Sequence, residues 1–212
     1  LFWGTLLAGA TPAPLAPPQN ASAEEVDRIT RVVRMLGGST VVDRGARYPG
    51  LEAHDAGDWL SAEPLRVAVD SGAPALIQFS SGSTRAPRGV VLSHANLLAN
   101  VDQMARRLPI GPDDIKLTWM PHFHDMGLIG CHLLPMAVGM HQVRMDPRHA
   151  LGDPIHWMVA TQETGATVLS TTNFALARLN ARLRKGIPPG LDVGHVRQLY
   201  NGAEPISAEV CR

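Results

Sequence analysis

Pro74-Ala75-Leu76-Ile77-Gln78-Phe79 runs into Ser80-Ser81-Gly82-Ser83-Thr84-Arg85-Ala86-Pro87-Arg88-Gly89, and then Val90-Val91-Leu92-Ser93-His94 follows. The first segment reads as a buried strand, and the last as a short strand that turns into a helix. Between them lies a loop of small hydroxyl and glycine residues, an arrangement suited to holding phosphate. Gly82 lets the backbone approach an anion closely, and successive N–H groups in such a loop form an anion-binding concavity. Ser80, Ser81, Ser83 and Thr84 add hydroxyl donors, and Arg85 and Arg88 add positive charge. A serine- and glycine-rich stretch is also the ordinary composition of a turn or linker. The apolar strands on both sides argue against a linker. A Walker A loop is excluded, because neither Gly82 nor Gly89 is followed by lysine.

Outward from this loop, strand and helix signals alternate, as in an α/β protein with a mostly parallel sheet flanked by helices. Ser22-Ala23-Glu24-Glu25 fits a capping box, and Val26, Ile29, Val33 and Leu36 follow at helical spacing. Strands are expected at 39–42, 65–69, 75–79, 115–120, 141–145, 167–170 and 196–200. Helices are expected from Ser93 to Arg107, over 125–140, 154–164 and 173–184, and from Ser207. Residues 44–63 read as irregular. Ligands of such sheets bind beyond the carboxyl ends of the strands. Three loops of unusual composition fall there, 80–89, 121–127 and 201–205, and one shared crevice is the expectation.

The second loop is Pro121-His122-Phe123-His124-Asp125-Met126-Gly127. Two histidines beside an aspartate invite a metal reading, but the spacing does not match a His-x-His-x-Asp-His set, and no metal is expected here. The alternatives are helix-start histidines satisfied locally, or a His124 that meets an anionic substrate group. The third loop, Asn201-Gly202-Ala203-Glu204-Pro205, is either a plain turn or a surface on which a flat aromatic base rests, with Asn201 and the peptide groups as hydrogen-bond partners.

The chain has 212 residues, a hydrophobic share of 45% and a formal net charge of +0. A real core is available, and balanced charge gives no support to a nucleic-acid or membrane-surface role. Two distant cysteines, Cys131 and Cys211, do not make a disulfide framework, and they fit a reducing, cytoplasmic setting. No apolar run reaches transmembrane length.

Taken together, the three loops resemble those of the adenylate-forming (AMP-binding) enzymes: acyl-CoA synthetases, luciferases and the adenylation domains of peptide synthetases. Residues 80–89 look like that family's phosphate loop, and Leu7-Ala8-Gly9-Ala10-Thr11-Pro12 resembles its upstream motif. Arg85, the run His124-Asp125-Met126-Gly127-Leu128-Ile129-Gly130 and the wording of 201–205 are most similar to the fatty acyl-AMP ligase branch. The resemblance implies that a fatty carboxylate attacks the α-phosphorus of ATP to give acyl-adenylate and pyrophosphate. The acyl group then passes to a carrier protein's phosphopantetheine thiol. An acyl-CoA synthetase, which uses coenzyme A as acceptor, is the alternative, and a non-catalytic nucleotide- or acyl-binding relic is a third reading.

The resemblance implies these roles. Ser80, Ser81, Gly82, Ser83 and Thr84 hold phosphates, with Thr84, Arg88 and His124 as catalytic residues. Asn201, Gly202, Ala203, Glu204 and Pro205 contact adenine. His124, Asp125, Met126 and Phe174 contact the acyl substrate, with Leu128 as a further candidate tunnel residue. Arg88 departs from the lysine common in relatives. ATP and Mg2+ are implied, the residue completing the magnesium site being expected outside residues 1–212. By the same resemblance the chain is part of the large N-terminal domain, truncated at both ends and without the mobile C-terminal domain.

Overall fold

The computed structural model describes residues 1–17, 22–37, 41–43, 53–55, 57, 67–79 and 87–212. The chain divides into two compact units, Leu1–Leu97 and Leu98–Arg212.

In the first unit, helix α1 (Phe2–Leu7) is followed by α2 (Ala23–Met35). The capping box forms as its sequence requires: Ser22 Oγ accepts from the Glu25 amide, and the Glu25 side chain accepts from the Ser22 amide. Ile29 and Val33 of α2 are buried with Leu15 and Val41 packed against them. Strands β1 (Val41–Asp43) and β2 (Ala53–Asp55) pair in parallel. β3 (Pro74–Phe79) and β4 (Gly89–Ser93) pair antiparallel, with Phe79 opposite Gly89.

Two sequence expectations change here. Residues 44–63 contain strand β2, three residues long and made by pairing with distant β1 rather than by local pattern. Val67–Val69 is not a strand: the Val67 amide donates to Leu7 O at 3.2 Å, outside any ladder.

Helix α3 (His94–Arg107) starts at Ser93, whose hydroxyl accepts from the Asn96 amide at 3.1 Å. The second unit is built on a four-stranded parallel sheet in the order β6-β5-β7-β8, with β5 Ile115–Thr118, β6 His141–Arg144, β7 Val168–Thr172 and β8 Gln198–Gly202. Between β5 and β6 lie a π-helix (Met126–Leu133) and a short α4 (Leu134–Ala137). Helices α5 (Pro147–Gly152) and α6 (Pro154–Thr164) connect β6 to β7, and α7 (Asn173–Leu183) connects β7 to β8.

The sheet's two faces differ, because side chains alternate along each strand. Leu117 and Leu169 sit in a core with Trp157 and Met158 of α6 and Leu176 and Leu179 of α7. Fully burying one such side chain contributes roughly 1.5–3 kcal/mol. Trp119 and Trp157 meet edge to face, their ring centroids 6.3 Å apart. At the amino edge, buried Asp114 accepts from Thr167 Oγ1 at 2.7 Å and from the Gly111 amide at 2.9 Å, and pairs with Arg197 at 3.1 Å. This network ties the entry of β5 to the connections before β7 and β8.

The 125–140 segment was expected as one helix; its first part is wound as a π-helix, with Leu134 N donating to Ile129 O five residues back. Pro135, two residues past its end, has no N–H to donate. Helix α5 has no counterpart among the sequence expectations. The segment from Ser207 is a turn, with Val210 N and Cys211 N both donating to Ser207 O. Among the described residues no helix is long and apolar enough to cross a membrane.

Candidate active site

The carboxyl end of β5 leads through Trp119 and Met120 to the turn that carries His124. His124 N donates to Pro121 O at 3.1 Å, and Leu128 N donates to His124 O at 2.9 Å, so the turn feeds directly into the π-helix. Asp125 caps that helix, its carboxylate accepting from the Met126 amide at 2.6 Å. The same carboxylate lies 2.8 Å from His124 Nδ1, which orients the imidazole. Among the described residues Nε2 has no hydrogen bond. The His124 side chain is 39% exposed and Asp125 is 67% exposed, so both are open to an incoming group.

His122 faces a different neighbourhood. Its Nε2 bonds Arg144 Nη1, Arg144 Nη2 donates to Met120 O at 3.0 Å, and the His132 ring centroid is 4.8 Å away. Burial, then the Arg144 cation, then His132 push His122 down to about 4 from an ordinary 6.5. A histidine depressed in the fold contributes stability above its unfolded pKa and loses it as pH falls through its folded pKa. The loss therefore runs from about 6.5 to about 4. We expect thermal melts between pH 7 and pH 4.5 to show a steeper loss for the wild type than for His122→Asn; parallel slopes would remove His122 as the cause.

The third loop begins inside β8, which carries Asn201 and Gly202 at the sheet's carboxyl edge. A Cβ placed on Gly202 would lie 3.9 Å from Met126 Sδ, so the second and third loops meet here. Ala203 adopts φ +70, a left-handed backbone that non-glycine residues rarely hold. Such conformations persist where surrounding structure over-determines them, often at functional sites. Among the described residues Asn201 Oδ1 is buried with no hydrogen-bond partner, while its Nδ2 donates to Cys211 Sγ at 3.5 Å. Glu204 turns back to accept from the Phe174 amide at 2.6 Å, and Thr172 Oγ1 accepts from the Ala175 amide at 3.3 Å. Two otherwise orphaned donors of α7 are satisfied this way.

The structure thus brings together Met126 and Gly202, with His124, Asp125 and Asn201 close by in sequence. Phe174 is 55% exposed, its ring lying 5.8 Å from Arg178 Cζ, and Leu128 is buried at 1% exposure. Arg88 is exposed beside Gly89. Ser80, Ser81, Gly82, Ser83 and Thr84 lie outside the described residues, as does Arg85. Among the described residues there is no group of three or more His, Cys, Asp or Glu side chains placed to hold a metal ion.

Sequence reasoning passed over a cavity of about 190 Å3 on the sheet face opposite the Leu117 core. Met126 lines it near the loops; Lys116, Ser170 and Tyr200 line it from the strands. The signal was present in the sequence: Lys116 is a lone charge in the apolar run of β5.

A four-stranded parallel sheet flanked by helices thus carries, at its carboxyl edge, a histidine turn whose Met126 meets the glycine-containing end of β8. The family description "AMP-binding enzyme" matches residues 2–212, and the chain belongs to that family. It is 33% identical over its whole length to 4-hydroxyphenylalkanoate adenylyltransferase of Mycobacterium tuberculosis, covering 37% of that protein. It is also 33% identical to long-chain-fatty-acid–AMP ligase FadD32 of Mycolicibacterium smegmatis, covering 100% of this chain and 36% of the relative. Among solved structures, a fatty acyl-adenylate ligase from L. pneumophila in complex with acyl adenylate and pyrophosphate superposes with TM-score 0.88 at 30% identity. That match covers 99% of this chain and 38% of the neighbour. The chain spans little more than a third of the length of these proteins.

Proposed function

We propose that this chain is part of the N-terminal domain of a fatty acyl-AMP ligase. A fatty carboxylate oxygen attacks the α-phosphorus of ATP; the bond to the β-phosphate oxygen breaks and pyrophosphate leaves. A phosphopantetheine thiol of an acyl carrier protein then attacks the acyl carbonyl. It loses its proton, AMP departs, and a thioester forms.

The observation that carries this reading is the carboxyl edge of β8. A buried carboxamide oxygen without a partner, on Asn201, stands next to the left-handed Ala203 and one residue before the glycine that meets Met126. An acceptor left unsatisfied in the protein fits the exocyclic amino group of adenine. His124, whose Nδ1 accepts from the Met126 amide at 3.3 Å, would donate from Nε2 to the oxygens that gain charge during attack. Ser80, Ser81, Gly82, Ser83 and Thr84, with Arg88, would hold the phosphates. Mg2+ binds such sites largely through the phosphates themselves and needs few protein ligands, which fits a loop of hydroxyls and amides. When bound it neutralises triphosphate charge. The two free cysteines, Cys131 and Cys211, fit a reducing, cytoplasmic setting.

The test uses the full-length protein with ATP, magnesium and labelled dodecanoate, offered either coenzyme A or a phosphopantetheinylated carrier. Acyl-adenylate that passes to the carrier is the expected result. Abundant acyl-CoA would replace the ligase reading by the synthetase one. Because one relative is named for 4-hydroxyphenylalkanoates, an aryl alkanoate belongs in the same assay. No adenylate with any acid tried would remove the proposal.

A further inference from the structure

The cavity in the second unit lies on one sheet face. Lys116 of β5 is level with Val168 of β7, and Ser170 is level with Tyr200 of β8. Thr172 is level with Gly202 at the edge where Met126 sits. From that edge to the Ser170–Tyr200 level is two residues of strand, about 6.6 Å. Over the sheet lie Met104, Leu108, Met126, Cys131 and Leu134, all apolar or nearly so. The slot thus runs along this sheet face, which is its floor, from Met126 beside the candidate site past Ser170 and Tyr200 to Lys116, with Ile110 and Met140 lining it as well.

The floor is polar in an otherwise apolar chamber. Lys116 is 2% exposed; its ammonium bonds Ser170 Oγ and lies 5.3 Å from the Tyr200 ring centroid. No carboxylate pairs with it among the described residues. Tyr200 Oη is buried and has no hydrogen-bond partner among the described residues. Burial pushes the Lys116 amine down and the Tyr200 phenol up, so the phenol keeps its proton. A buried amine with one neutral partner, beside an idle phenol, is costly unless something supplies an acceptor. A wholly hydrocarbon ligand would add no partner to either group.

We propose that Lys116, with Tyr200 and Ser170, selects acyl substrates whose far end carries an oxygen acceptor, a carboxylate or a hydroxyl, over those ending in a methyl group. This rests on the reading of the site as an acyl-adenylation centre, because it places the acyl chain in this slot. Lys116 acts on specificity and has no part in the chemistry at phosphorus.

The experiment measures two quantities on the full-length protein: direct binding by calorimetry and pyrophosphate release with ATP. The probes are octanedioate, decanedioate and dodecanedioate, the matching ω-hydroxy acids, and the plain acids of the same lengths. We expect at least one ω-oxygenated acid to bind about tenfold or more tighter than its plain counterpart. Lys116→Met should erase that ratio, and Tyr200→Phe should reduce it. Whether the dioate or the hydroxy acid leads tells which oxygen the floor reads. Wild-type protein that binds the plain acids as tightly as every oxygenated one overturns the inference, whether or not the variants fold. An unchanged ratio in a folded Lys116→Met protein does the same. Selective binding without pyrophosphate release would sink the adenylation reading and leave the pocket assignment standing. Pyrophosphate release with no selectivity would do the reverse.

Discussion

Gly127→Ala should destabilise the second unit more than any other single methyl addition within it. A Cβ there would stand 2.0 Å from Pro121 O, 2.7 Å from Pro121 C and 3.0 Å from Met120 C. All three are backbone atoms, so no rotamer change relieves the clash. Either the turn from Pro121 to His124 moves or the π-helix starts elsewhere, and both break the His124 N to Pro121 O bond. We expect a loss of about 3 kcal/mol or more, or roughly 12 °C or more in Tm for a unit the size of Leu98–Arg212, which lies nearer the 60–100-residue class. Gly152→Ala is the control, since among the described residues nothing lies within 4 Å of its added methyl. Calorimetric melts of the two variants side by side decide the matter, and equal Tm values would refute the steric argument. Where Gly127→Ala protein folds at all, its His124 is displaced, so lost adenylation should accompany the lost stability.

The second large effect is expected on turnover. Thr84→Ala and His124→Ala, each in the full-length protein, should lower acyl-adenylate formation by on the order of 10²–10³. Thr84 would lose a hydroxyl to the phosphates. His124 would lose the Nε2–H donor that the Met126 amide fixes by bonding Nδ1 at 3.3 Å. Because the donor acts as charge develops, kcat should fall more than KM rises. Pyrophosphate release in both variants within about threefold of wild type would take the two residues out of the mechanism.

The helices that carry their own start signals were legible in the sequence. Ser22 with Glu25 and Ser93 before α3 are local chemistry, and the structure uses both serines as caps; the Asp153 cap of α6, before Pro154, was not singled out. Asp146-Pro147 carries the same signal before α5 and was passed over. What depends on distant partners did not show. β2 exists because β1 offers it a ladder, and Val67–Val69, strand-like in composition, has a bond to α1 instead. The π-winding of Met126–Leu133 has no periodic signature that separates it from an α-helix. At the site, histidine, glycine and asparagine stand out in sequence at 121–127 and 201–205, and the structure brings Met126 to Gly202; most of 80–89 lies outside the described residues. Lys116 was not singled out, because β5 reads as a strand with or without it. Only the register that sets it near Ser170 and Tyr200 reveals a polar floor.

The hydrogen bond from the Phe174 amide to the Glu204 carboxylate has a consequence for recombination. Segment 201–205 and helix α7 are one exchangeable block, although some thirty residues separate their contacts. A chimera spliced between 174 and 204 sets one parent's acid against the other parent's helix, and the Ser207 amide to Asn173 bond is divided by the same cut. Junctions placed before Thr172 or after Ser207 carry both bonds across intact, so domain shuffling in this family member has its natural seams there.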